Sequence, residues 1–114
     1  MTGPRLAELA RLDDAGFRAL FAGTSVKRTG RDRFLRNVLT AIGNVPEAEP
    51  ALVAAARRCL DDPSPLVRGA AVWAFGRIGE TRQIAAEMEA RLAAEPDAEV
   101  RAEWQPLCLP AEAQ

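Results

Sequence analysis

Apolar residues recur every three or four positions along most of the chain, a spacing that predicts α-helices. The clearest example is residues 31–44, whose apolar stripe consists of Phe34, Leu35, Val38, Leu39, Ala41 and Ile42. The opposite face of this segment is polar and consists of Arg33, Arg36, Asn37, Thr40 and Asn44. Gly43 provides a stop signal. The pattern therefore predicts an amphipathic helix with one stripe in a core and the other facing solvent.

Helix start signals divide the rest of the chain. The suitable N-caps are Asp13, Ser64 and Asp97, and the prolines suited to a first helical turn are Pro50 and Pro65. The predicted helices cover residues 4–12, 14–22, 50–61, 65–78, 81–94 and a short stretch after 97. Their predicted inward residues include Phe17, Leu20, Phe21, Cys59, Leu66, Val67, Phe75 and Met88. On such a face we expect Cys59 to be a core residue rather than a reactive thiol.

The helices also repeat at a fixed interval. Residues 62–68 match residues 95–101 at an offset of 33, and residues 74–76 match residues 41–43 at the same offset. A helical hairpin cannot bury its apolar face alone, so repeated hairpins stack. Residues 62–79 resemble the second helix of a HEAT-like repeat, through an acidic residue, a Val-Arg pair, alanines and closing glycines.

The repeat leads to a definite expectation for the fold. We expect an all-α protein, a short right-handed stack of about three antiparallel helix pairs in a single domain spanning residues 1–114. The pairs are predicted at residues 13–44, 50–79 and 81–104, with a lead-in helix in 1–12 and a tail at 105–114. In a HEAT-like stack the second helices lie side by side and form a binding face.

Charge is unevenly distributed along the chain. Residues 25–37 contain five cations and one carboxylate, a local charge of +4, so the remainder carries −5 in a chain of net charge −1. Cations at a helix start are unfavourable, but free N–H groups beside them suit an anion such as phosphate. The predicted nucleic-acid-binding residues are Lys27, Arg28, Arg31, Arg33, Arg36 and Asn37. The alternative is a solvated basic loop.

Two more arginines could extend this basic region. Arg68 and Arg101 occupy equivalent repeat positions, and each could instead pair with an acidic residue of the adjacent unit. Trp73, on the flank of its helix, could stack against a base or pack against a neighbouring helix.

The composition excludes several kinds of chemistry. The chain has no His, and its two cysteines, Cys59 and Cys108, form no Cys-x-x-Cys pair. We therefore predict no catalytic residue, no metal site and no cofactor held by this chain. No signal-peptide pattern and no apolar run of membrane-spanning length is present, so we expect a cytoplasmic monomer without membrane contact.

A closer resemblance covers residues 12–80. Residues 26–44 resemble a segment of the C-terminal region of the bacterial epoxyqueuosine reductase family, and residues 62–74 resemble the segment that follows it. The preceding Asp-Asp-x-x-Phe-Arg helix of that family is matched by Asp13, Asp14, Phe17 and Arg18. The resemblance implies a part in queuosine modification of tRNA. In that family the full enzyme reduces an epoxide with cobalamin and two 4Fe–4S clusters, and this region holds the tRNA anticodon arm.

The departures from the family limit what this chain does alone. The Cys-x-x-Cys-x-x-Cys-x-x-x-Cys-Pro ligand run is missing, as is the cobalamin domain. We therefore expect a fragment, a split-gene product, a truncated reading frame or an isolated domain, inactive alone and binding tRNA. The alternative is a HEAT-like protein-interaction module for an acidic partner or a separate catalytic chain, with Trp73 or Trp104 at the centre of its binding patch.

Overall fold

Every regular element in the described part of the chain is helical. The computed structural model describes residues 3–22 and 30–107. The seven α-helices there are α1 (Gly3–Leu9), α2 (Asp14–Phe21), α3 (Arg31–Gly43), α4 (Pro50–Cys59), α5 (Pro65–Ile78), α6 (Thr81–Arg91) and α7 (Ala98–Trp104). Two short 3₁₀ turns follow α6 and α7, at Leu92–Ala94 and Gln105–Leu107. The prediction of an all-α fold is confirmed.

The predicted caps start three of these helices. Asp13 Oδ1 accepts a hydrogen bond from the Gly16 N–H at 2.7 Å and so caps α2. Ser64 caps α5 through the Val67 N–H. Asp97 caps α7 through two backbone N–H groups at 2.9 and 3.1 Å. Each cap satisfies donors that a helix start leaves without an internal partner, which is why the helices begin at these residues.

The helices form two layers. Helices α3, α5 and α7 lie side by side, while α4 packs on α5, and α1 packs on both α3 and α4. The core between the layers is apolar and includes Leu35, Leu39, Ile42, Leu52, Val67, Val72, Phe75, Val100 and Trp104, all fully buried. Cys59 is buried in the same core, as predicted.

Helix α1 belongs to the stack itself, although the sequence predicts it only as a lead-in. Leu6, Leu9 and Ala10 are buried in the main core. By contrast, α2 contributes mainly Phe17, which is 1% exposed and whose ring lies 5.5 Å from that of Phe34. Helix α1 rather than α2 packs on α4. For this reason α2 buries Phe17 and not the whole apolar face that the sequence predicts.

The small residue Ala41 of the predicted core stripe is exposed, and so are two larger predicted core residues. Leu20 of α2 is 51% exposed and Leu66 of α5 is 41% exposed, so both predictions are wrong. Leu20 lies on the helix that makes the slighter contact with the stack. Leu66 lies in the first turn of α5, where it lines a surface groove instead of the core. The side chain of Phe21 lies outside what the structure describes.

Equivalent residues 33 positions apart make the same hydrogen bonds. Arg68 Nη1 donates to the carbonyl oxygen of Asp62 at 3.0 Å, and Arg101 Nη1 donates to that of Glu95 at 2.7 Å. The carboxylates of both acids also accept the backbone N–H two residues further on, at 3.0 and 2.9 Å. Each repeat therefore uses the same turn geometry before its second helix. None of the described helices has the length and apolar character needed to cross a bilayer.

Candidate nucleic-acid interface

Four of the six predicted binding residues lie in the first two turns of α3. Lys27 and Arg28 lie outside the described residues. Gly30, with φ of +88°, forms the turn into the helix, a backbone conformation that favours glycine. The four remaining residues, Arg31, Arg33, Arg36 and Asn37, lie on α3 and differ in their surroundings.

Arg31 is held by the protein itself. Its Nε donates to the carbonyl oxygen of Leu12 at 2.9 Å, and its Nη1 donates to Asp62 Oδ2 at 3.0 Å. Its Nη2 forms an ion pair with the other oxygen of Asp62. The side chains of Arg31 and Asp62 are 14% and 7% exposed. Arg31 therefore joins α3 to the turn before α5 and to the end of the α1–α2 connection.

The ionisation of both partners reflects this contact. Burial would raise the pKa of Asp62, but the hydrogen bonds from Arg31 and the Ser64 N–H, with the nearby positive charge, bring it below its usual value. The hydrogen bond with Asp62 raises the pKa of Arg31 against the opposing effect of burial. The pair is therefore ionised over the ordinary pH range.

A second ion pair between an arginine and a largely buried carboxylate links α5 to the turn before α7. Arg68 Nε and Nη2 donate to the two carboxylate oxygens of Glu95, each at 2.9 Å, and Glu95 is 8% exposed. The hydrogen bond from Arg68 lowers the pKa of Glu95. For Arg68 the alternative of pairing with an acid of the adjacent unit is confirmed. Arg101 contacts the backbone oxygen of the same glutamate.

Ion pairs also join α4 and α6. Arg57 Nη2 lies 2.7 Å from Glu87 Oε2, and Arg91 contacts both Glu87 Oε1 at 2.8 Å and Asp61 Oδ1 at 2.5 Å. The hydrogen bonds from Arg91 lower the pKa values of Asp61 and Glu87. These arginines hold neighbouring units together, so their charge is already neutralised within the protein.

Arg33 and Arg36 differ from the arginines described so far. Both side chains are exposed on the outer face of α3. Within the described residues the side chain of Arg33 has no hydrogen bond or ion pair, and that of Arg36 has one hydrogen bond, from its Nη2 to Asn37 Oδ1 at 3.4 Å. Arg33 sits in the first turn of α3, where a positive charge opposes the helix dipole. These two guanidinium groups are therefore available to an anionic ligand.

A groove of about 240 Å³ crosses α3, α5 and α7 beside Arg36. Its lining consists of Arg36, Thr40, Pro65, Leu66, Gly69, Ala70, Trp73, Glu99, Val100 and Glu103. Trp73 is half-buried there, whereas Trp104 is 1% exposed in the core, so Trp104 is not a surface aromatic residue. The sequence analysis did not single out Glu103 as a groove residue. Its position in the last turn of a helix could have indicated it, because a negative charge is unfavourable there.

An apolar hollow of about 470 Å³ lies on the other side of α3. It is lined by Leu6, Leu9, Phe34, Asn37, Val38, Ala41, Asn44, Val45 and Pro46. Asn37, predicted as a nucleic-acid contact, therefore borders this hollow as well as the side chain of Arg36. The sequence indicates no such hollow, because it forms only where α1 crosses α3.

The chain has fewer cysteines than a 4Fe–4S cluster requires. A 4Fe–4S cluster needs four thiolates, and this sequence has two cysteines. Burial raises the pKa of the Cys59 thiol to about 11, so this group stays protonated near neutral pH. Among the described residues no group of three His, Cys, Asp or Glu side chains could hold a metal ion. Cys108 lies outside them.

The stacked helix pairs define the class of protein. The family model for HEAT repeats matches residues 26–105, and the chain belongs to that family. Within it, the chain is 42% identical over 77 residues to an epoxyqueuosine reductase of Pseudomonas aeruginosa, covering 67% of this chain and 21% of the relative. It is 32% identical over 100 residues to the epoxyqueuosine reductase of Bacillus subtilis, covering 88% and 25%.

A solved structure agrees with these relatives. The crystal structure of an epoxyqueuosine reductase with a stem loop of an epoxyqueuosine-modified tyrosine tRNA matches 90% of this chain with a TM-score of 0.79 and 26% identity. The resemblance read from the sequence is thus confirmed. The chain spans between a fifth and about a quarter of the length of these curated relatives, and 27% of the solved chain.

Proposed function

We propose that this chain is an RNA-binding module that contacts the anticodon arm of a tRNA during queuosine modification and does not catalyse the reduction itself. The observation that supports it most directly is the solved relative, which matches 90% of the chain and was determined with a tRNA stem loop. The reductive chemistry and its cobalamin and iron–sulfur cofactors would then reside in the remaining length of such an enzyme, on the same or a separate chain.

The exposed arginines supply the contact in this proposal. Arg33 and Arg36 lie one turn apart on α3 and face solvent. Arginine binds phosphate through two parallel hydrogen bonds, and such contacts dominate the affinity of a protein for a nucleic-acid backbone. Arg31 is excluded from direct contact in this proposal because its guanidinium is already bound to Asp62 and Leu12. Lys27 and Arg28 remain predicted contacts from the sequence.

A titration of a labelled anticodon stem loop at several salt concentrations tests the proposal. The logarithm of affinity should fall linearly with the logarithm of salt concentration, with a slope of about 0.7 to 0.9 per phosphate contact. In the double variant Arg33→Met/Arg36→Met that slope should shrink by about 1.4 to 1.8.

The matched control is the double variant Arg58→Met/Arg82→Met. It removes the same charge from exposed positions on α4 and α6, where the structure gives neither arginine an ion pair within the described residues. The control should bind like the parent chain. Equal slopes for the two double variants would refute the assignment of Arg33 and Arg36.

The apolar hollow favours a second candidate, a docking site for a protein chain that carries the catalytic part of the enzyme. Its lining is apolar apart from Asn37 and Asn44, which suits a buried protein contact better than a phosphate. Ala41 is exposed there, so Ala41→Arg should block association with such a chain and leave the RNA titration unchanged. If the folded chain binds no stem loop even at low salt, the RNA-binding proposal fails and the docking proposal replaces it.

A further inference from the structure

The groove across α3, α5 and α7 is lined by three different kinds of side chain, one from each helix. Arg36 on α3 provides a cation, Trp73 on α5 an aromatic ring, and Glu103 on α7 a carboxylate. A nucleotide presents the complementary sequence of groups, which are a phosphate, a base plane and the donors of a base edge. We infer that this groove receives one unpaired nucleobase of the bound RNA and prefers guanine. The inference rests on the proposed RNA-binding function.

The groove has the size of a subsite rather than of an independent ligand pocket. Its volume of about 240 Å³ is below the roughly 300–1,000 Å³ of pockets that bind whole small molecules. Its floor is open because Gly69 lacks a side chain, and a Cβ added there would lie 3.9 Å from Glu103 Cγ. A single base that belongs to a longer RNA, already held by Arg33 and Arg36, suits this volume.

Trp73 is fixed in place on one side by α3. A Cβ added to Gly43 would lie 2.5 Å from Trp73 Cζ3, so only glycine lets the backbone come this close. The Arg77 guanidinium carbon lies 5.1 Å from the centre of the indole ring, and its Nε donates to the carbonyl oxygen of Gly43 at 2.7 Å. The ring is thus held before any ligand arrives, and bases stack favourably on such fixed aromatic rings.

Glu103 has no evident role in stability. It lies in the last turn of α7, where a negative charge opposes the helix dipole, and it has no ion pair within the described residues. Glu99, one turn earlier, is explained by its place in the favourable first turn. A carboxylate that has no ion pair in the described residues and lines the same groove as Trp73 would repel phosphate, so the base rather than the backbone is the part of RNA that fits here.

The preference for guanine follows from its edge. Guanine carries an N1–H and a 2-amino group side by side, and a carboxylate can accept both hydrogen bonds at once. Uracil presents a single N–H between two carbonyl oxygens, which repel a carboxylate. Unpaired bases are read on this Watson–Crick edge in single-stranded RNA. A well-formed bidentate contact with a base edge discriminates by about tenfold or more.

The test uses three short oligoribonucleotides that differ at one central position, which is guanosine, inosine or uridine in an otherwise all-uridine strand. Inosine lacks the 2-amino group and keeps the rest of the guanine edge. Binding is followed by tryptophan fluorescence, in which Trp104 is a buried background and Trp73 is the reporter. The variants are Glu103→Gln and Trp73→Leu, with circular dichroism to confirm that each is folded.

The parent chain should bind the guanosine strand about tenfold more tightly than the uridine strand, with inosine between them. Guanosine should quench the fluorescence, and Glu103→Gln should abolish most of the preference without reducing the salt dependence. Salt-dependent binding with equal affinity for all three strands would overturn the groove inference and leave the RNA-binding function intact. Absence of binding to these strands and to the stem loop would overturn both.

Discussion

Removal of one arginine from each face of α3 separates the structural from the binding role. We predict that Arg31→Met destabilises the fold without changing the salt dependence of tRNA binding. Arg33→Met, two residues away, should leave the stability unchanged and reduce the salt dependence of tRNA binding. The difference arises because Arg31 is bound to Asp62 and Leu12, whereas Arg33 is exposed and has no such contact within the described residues.

The magnitude follows from the burial of the pair. Breaking a fully buried ion pair costs about 3–5 kcal/mol, and breaking an exposed pair costs at most about 1 kcal/mol. The Arg31 and Asp62 side chains are 14% and 7% exposed, and in the variant Asp62 keeps the hydrogen bond from the Ser64 N–H at 3.0 Å. We therefore expect a loss of about 2 kcal/mol for Arg31→Met, and a change below about 0.5 kcal/mol for Arg33→Met.

Thermal unfolding and the stem-loop titration measure the two effects. For a chain of this length about 1 kcal/mol corresponds to about 4 °C, so Arg31→Met should lower Tm by about 8 °C. Arg33→Met should leave Tm within about 2 °C of the parent and lower the salt slope by about 0.7 to 0.9. An unchanged Tm with a reduced salt slope for Arg31→Met would refute the structural assignment of this arginine.

Two further predictions concern the packing between units. The pKa of Glu95 lies below its unfolded value near 4.3, so its stabilisation is complete above that pH and is lost as the pH falls through the folded pKa. Thermal unfolding between about pH 7 and pH 3 should therefore show a smaller loss of Tm for Glu95→Gln than for the parent. Gly43→Ala should cost about 1–3 kcal/mol, because the new Cβ meets the rigid Trp73 ring at 2.5 Å. Gly69→Ala is its control and should be neutral or stabilising, since its nearest neighbour is 3.8 Å away.

Local patterns predict local structure well in this chain. The apolar spacing of residues 31–44 identifies the buried face of α3, and Leu35, Leu39 and Ile42 are all fully buried. Caps such as Ser64 are equally local, because a side chain bonds an N–H three residues on. The repeat offset also survives as a shared turn geometry at Asp62 and Glu95.

The arrangement of helices is less accessible from the sequence. Helices α1 and α2 have similar apolar spacing, and the choice of which one packs on α4 depends on contacts between segments about 45 residues apart. Leu66 illustrates the same limit, because its position on the helix matches a buried stripe but its side chain lines the surface groove, whereas its neighbour Val67 is fully buried. Amphipathic spacing predicts which face is apolar, and tertiary packing decides how much of it is covered.

Helix geometry explains why the arginines of α3 divide as they do. With 3.6 residues per turn, Arg33 lies about 200° and Arg36 about 140° around the helix from Arg31, so they are only about 60° from each other. A ligand that contacts Arg33 and Arg36 therefore approaches the face opposite Arg31. Arg31 points toward the turn before α5, where Asp62 meets it. Among the described residues of α3, the positive charge is thus shared between two faces, and only the outer face carries guanidinium groups without an ion pair.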